Sequence, residues 1–124
     1  MSLPHQQIRD VVVLSPTGRI DHASADDFRE AVMPWLTGCH NQADGHALVF
    51  DFAKVEYISS AGLRVLMLAS KQTKPVGGRI AVAALQPVAA EIFKISRFDL
   101  VFALHAEVTA AVAALTRQPT GSSS

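Results

Sequence analysis

The chain has 124 residues, enough for one domain around one core. Apolar residues make up 49% and charged residues 18%, which excludes a disordered chain, and 11 basic residues balance 11 acidic ones. That balance argues against nucleic acid as the main partner, because phosphate backbones are bound by clustered Lys and Arg.

The opening stretch, MSLPHQQIRD, lacks the apolar core of a signal peptide. No apolar run approaches the roughly 18 residues a membrane helix needs. The one cysteine, Cys39, allows no internal disulfide and fits a reducing compartment. A cytoplasmic protein with no direct membrane insertion is expected.

HQQI is expected to pair as an edge strand with VVVLSPTG, 11 to 18, through a turn at Arg9 and Asp10. A helix follows over SADDFREAVMPWL, with Ser24 as N-cap and Asp26, Asp27 and Glu30 near its positive end. Pro34 should kink or end it. TGCHNQADG reads as a loop and ALVFDF, 47 to 52, as a buried strand. The spacing predicts a helix over 61 to 74, stopped by PVGG, then a strand over 79 to 85. Pro87 suits the first turn of a helix running to about Ile95. A strand over 100 to 104 and a helix over 106 to 115 complete the pattern. Strands alternating with helices predict a single small α/β domain. It should hold a mixed, mostly parallel sheet of four to five strands covered by about four helices. The domain is expected over 1–117 and a disordered tail over 118–124.

At about 100° per residue, Gly62, Val65, Leu66 and Ala69 share one side of the 61–74 helix and should face the sheet. Ser60, Arg64, Met67, Lys71 and Lys74 share the other, solvated side. Met67 there suits an adaptable contact. Ser60 stands where a strand turns into this helix, and two readings are open. Its hydroxyl can cap the helix by accepting from the amide of Gly62 or Leu63. It can also accept a phosphate, which the helix N-terminus and Arg64, one turn on, would favour. A phosphate of roughly −1.5 to −2 charges would alter a docking face without unfolding the domain.

LVFDFAKVEYISSAGLRVLMLASK resembles the central segment of STAS domains, the family of bacterial anti-sigma-factor antagonists. Asp51 matches that family's strand-end acid, Ser60 its phospho-acceptor serine, Ala61 its small residue and Gly62-Leu63 its helix start. TGRIDHASADDF resembles the family loop after the second strand, with Gly18 and Asp21 matching. The resemblance implies a regulatory binding module rather than an enzyme, with no cofactor. The unphosphorylated domain would bind a serine-kinase anti-sigma factor. That kinase would phosphorylate Ser60 and release the domain, and a PP2C-type phosphatase would reset it. The family's acid before the acceptor is replaced here by Ser59, which makes Ser59 a rival acceptor. The alternative within the same fold is a STAS-like subunit of a membrane lipid- or anion-transport assembly, docking without phosphorylation.

Asp21, Arg64, Met67 and Lys71 are candidate partner contacts, and Asp51 and Gly62 candidate structural supports. Asp51 is expected to orient the Ser59-Ser60 loop by accepting backbone amides. Asp21 and His22 should lie near Ser60, as partner contacts or as turn residues. Cys39, His40, Asp44 and His46 match no standard zinc spacing, and no metal is expected. A Ser60–His22–Asp51 triad lacks the nucleophile-elbow pattern, and no catalytic residue is expected.

Overall fold

The computed structural model describes residues 3–116. The tail expected over 118–124 lies outside the described residues. The chain runs β1 (His5–Ile8), β2 (Val11–Leu14), β3 (Thr17–Ile20), α1 (His22–Thr37), β4 (Ala47–Asp51), β5 (Lys54–Ile58) and α2 (Ser60–Thr73). It continues through β6 (Ile80–Ala83), α3 (Pro87–Ile95), β7 (Ala103–His105) and α4 (Val108–Leu115). The main sheet has the order β1-β2-β4-β6-β7, and β3 and β5 form a second, two-stranded sheet. Only β1 runs antiparallel to its neighbour; the other pairs are parallel.

The run Val11–Leu14 is buried at every position because both faces of the main sheet are covered. Val12, Leu14, Leu48, Phe50 and Val82 point to the side holding the buried faces of α1, α2 and α3. Val11, Val13, Ala47, Val49, Ala81 and Ala83 point to the other side, where α4 lays down Ala111 and Val112. The chain's six phenylalanines, Phe28, Phe50, Phe52, Phe93, Phe98 and Phe102, form one file across the larger core. Successive ring centroids lie 6.4, 6.3, 6.1, 5.9 and 6.1 Å apart, mostly edge to face, the geometry that ring quadrupoles favour.

Several expectations are corrected. The strand expected over 11 to 18 breaks into β2 and β3 at Ser15-Pro16, because Pro16 has no N–H to give a ladder. KVEYI, to which the sequence reading gave no element, is strand β5. Ser24 is not the N-cap of α1. Asp21 is, and Ser24 closes the cap reciprocally: its amide donates to Asp21 Oδ1 at 3.1 Å and its Oγ accepts from the Asp21 amide at 3.0 Å. Asp26, Asp27 and Glu30 therefore lie beyond the first turn. Pro34 sits inside α1, which continues to Thr37, with Val32 and Leu36 buried on either side of it. Near the C-terminus, Phe98–Leu100 coils into a 3-10 turn, which moves the last strand to Ala103–His105.

Candidate functional site

The small parallel sheet positions the site. β3 and β5 are in register at Ile20 and Ile58, and the Ser59 amide donates to the Ile20 carbonyl at 2.7 Å. Two parallel strands thus deliver Asp21 and Ser59 side by side, each as the N-cap of the helix that follows. Gly62 is dictated by this close approach. A Cβ there would lie 2.7 Å from Ile58 Cγ1 and 2.8 Å from Ile20 Cγ2.

The structure places the cap on one of the two adjacent serines and leaves the other uncovered. Ser59, not Ser60, is the cap: its Oγ accepts from the Gly62 amide at 3.2 Å and it is only 5% exposed. The Leu63 amide donates to the Ser59 carbonyl at 2.9 Å. Ser60 is the first residue of α2 and is exposed. Asp is also a favoured N-cap, so Ser59 fills with a neutral side chain a capping place that an acid would fill with a charge. Replacing Ser59 by Ala should cost about 1 kcal/mol of stability in urea unfolding, because the Gly62 amide loses its acceptor in a buried place.

Asp21 holds its carboxyl below the usual carboxylate range, first through the Ser24 amide and then through the Ser24 hydroxyl. A depressed folded-state pKa contributes stability above the unfolded value of 3.8 that is lost as pH falls through the folded value. Asp21→Ala should therefore lower Tm at pH 7, and the gap to the wild type should close below pH 3.8. Asp21→Asn should keep most of the neutral-pH stability, since Asn caps as well as Asp.

On the outer face of α2, Arg64 and Lys71 are exposed, as the helical spacing predicts, while Met67 is half-buried. Leu68, which the sequence reading passed over, is 37% exposed beside them. Its signal was its place one residue beyond Met67, at the border of the two faces.

Asp51 does not support the Ser59-Ser60 loop. Its Oδ1 accepts from the Ala53 amide at 3.0 Å and its Oδ2 from the Ser15 hydroxyl at 3.2 Å, which fixes the β4–β5 turn. That turn and Ser60 are at opposite ends of β5, five extended residues or about 15 Å apart. The same separation dismantles the Ser60–His22–Asp51 triad. His22 is exposed at the start of α1.

Among the described residues no group of three or more His, Cys, Asp or Glu is placed to hold a metal. Cys39 is buried, and burial pushes its thiol pKa up. His46 bonds the Trp35 carbonyl through Nε2 at 2.9 Å, and His40 lies 3.8 Å from Asp44. Among the described residues no helix is long and apolar enough to cross a membrane.

A family model described as the STAS domain matches residues 2–111. The chain belongs to the STAS domain family. BtrV of Bordetella bronchiseptica, by its name a candidate anti-sigma factor antagonist, is 42% identical over 114 residues, covering 92% of this chain and 94% of its own. An anti-sigma factor antagonist from Mycobacterium paratuberculosis shares the STAS fold with a TM-score of 0.81 at 24% identity, over 94% of each chain. The antagonist SpoIIAA resembles this chain in both of its forms. Unphosphorylated, the TM-score is 0.72 at 16% identity, over 95% of this chain and 100% of that one. Phosphorylated, for the Bacillus protein, it is 0.65 at 17% identity, over 90% and 97%.

Proposed function

We propose that this STAS domain is an anti-sigma factor antagonist that acts in the cytoplasm as a binding module switched at Ser60. Its unphosphorylated form binds a serine-kinase anti-sigma factor. The kinase transfers the γ-phosphoryl group of ATP to the Ser60 Oγ: a phosphorus–oxygen bond to Ser60 forms, the bond to ADP breaks, and the hydroxyl proton passes to the kinase's base. A PP2C-type phosphatase hydrolyses the phosphoserine and restores the starting state. The chain itself supplies the accepting hydroxyl and the docking face.

One observation carries this reading. Of the two adjacent hydroxyls, Ser59 is buried and engaged as a cap, whereas Ser60 is exposed at the N-terminus of α2. An anion at that position meets free helix amides and the positive end of the helix dipole. The 42% identity with BtrV over nearly the whole of both chains supports the same class of function. SpoIIAA keeps a similar fold in its phosphorylated and unphosphorylated forms, which supports a switch that leaves the fold in place.

Purification of the chain with its bound proteins from its native cell, with intact-mass analysis, tests the reading. The expected result is a serine-kinase anti-sigma factor and a chain carrying zero or one phosphate. Recovery of an ATP-binding-cassette transport subunit with an unmodified chain would overturn it in favour of the transport-assembly role.

A further inference from the structure

The next step rests on Ser60 as phospho-acceptor and concerns what the phosphate does to its surroundings. A groove of about 240 Å³ runs between α1 and α2 and begins at Ala61, the residue after Ser60. Ala61, Val65 and Leu68 give it an apolar lining, and Asp26, Arg29 and Arg64 give it charged walls. Two cations against one anion make the slot basic. It fits an aliphatic side chain with a carboxylate beside it.

Arg64 belongs to both features. It lines the groove, and it stands four residues after Ser60 on the same helix, where side chains are surface neighbours. Side chains on a helix lean toward its N-terminus, so Ser60 is within the reach of Arg64. Arg64 is exposed and has no ion pair among the described residues. It is free to move between the groove and a new anion.

We propose that the groove receives an acidic, aliphatic-anchored segment of the serine-kinase partner, and that a phosphate on Ser60 captures Arg64 and withdraws it from that groove. The partner segment then loses one of its two cations while roughly −1.5 to −2 charges appear next to it. The local sign of the docking face inverts without any movement of the backbone. Arg29, on the facing helix α1, then remains with Asp26 of the same helix as the groove's charged lining.

The test uses phosphoserine installed at position 60 during translation, so its outcome is independent of which kinase uses the site. Titration by ³¹P NMR reads the second pKa of the phosphate, about 6 in the free state. A nearby cation favours the dianion and lowers that value. Arg64→Gln should raise it by about half a unit, the size of one exposed ion pair, and Arg64→Lys should restore part of the shift. An unchanged value in Arg64→Gln would overturn the capture, as would a shift produced by Arg29→Gln in its place, or a chain that circular dichroism shows to be unfolded. Docking is read separately, with the purified kinase partner and the unphosphorylated chain. Leu68→Asp should weaken binding at least ten-fold, and an unchanged affinity would overturn the groove as the docking place.

Discussion

Incubated with its partner kinase and ATP, the wild-type chain should gain one phosphate, and Ser60→Ala should gain none. This is the largest functional effect expected of any single substitution. The hydroxyl it removes is exposed and makes no hydrogen bond among the described residues, so stability should stay within about 0.5 kcal/mol of the wild type. Alanine is also a good helix former, which suits the first position of α2. Ser59→Ala provides the contrast. It should still accept a phosphate, since Ser60 remains exposed, but should unfold more easily because the cap on Gly62 is gone. Peptide mapping by mass spectrometry and urea unfolding together separate the two serines. A phosphate found on Ser59 in the wild type would contradict the assignment, because that oxygen is buried and already accepts the Gly62 amide.

Gly62→Val should cost on the order of 3 kcal/mol, the largest stability effect expected around the site. The first added carbon would lie 2.7 and 2.8 Å from the side chains of Ile58 and Ile20, the last residues of β5 and β3. Both isoleucines are core residues with almost no exposure, so neither has room to retreat. Relief would require α2 to lift away from the paired strands, and the Ser59 cap and the placement of Ser60 would shift with it. Gly62→Ala adds the same first carbon but gains about 1 kcal/mol of helix propensity. It should therefore destabilise less, by roughly 1 kcal/mol net. The two variants, compared by urea unfolding, separate close packing from backbone freedom. A Gly62→Ala chain more stable than the wild type would show that packing at this point is looser than described.

Much of the architecture was legible because its signals are strong. The Val11–Leu14 run announces a strand covered on both faces, Pro87 opens α3 where the sequence places it, and the apolar stripe Gly62, Val65, Leu66 and Ala69 faces the sheet. The small sheet was harder. β3 holds TGRI, a short and mostly polar stretch with Gly18 at φ +83°, and its register slips between Gly18 and Arg19. Its partner KVEYI alternates from Lys54 to Tyr57, with Val55 buried and Lys54 and Glu56 exposed, before buried Ile58 breaks the period, and that short alternation was the usable signal.

The cap of α1 was placed three residues late, at Ser24 instead of Asp21, and one of the two open readings of Ser60 placed the cap of α2 one residue late. Serine and aspartate all cap well, so the residue type alone does not choose among neighbours. The choice is made by the β3–β5 pairing, which fixes where each strand ends. Asp51 failed for a related reason. Its place in the motif is close to Ser60 in sequence, but an extended strand lies between them. The family resemblance singled out Ser60 as the candidate acceptor; the burial of Ser59 leaves Ser60 as the reachable hydroxyl of the two.

The central claim is that one exposed hydroxyl at the mouth of α2 governs partner choice while the domain stays folded. Its most direct test is calorimetric titration of the purified kinase partner into the chain with serine or installed phosphoserine at position 60, with the Tm of each form recorded. The expected result is binding at least ten-fold weaker for the phosphorylated chain at a similar Tm. Equal affinities for the two forms, or weaker binding that appears only because the phosphorylated chain has unfolded, would contradict it.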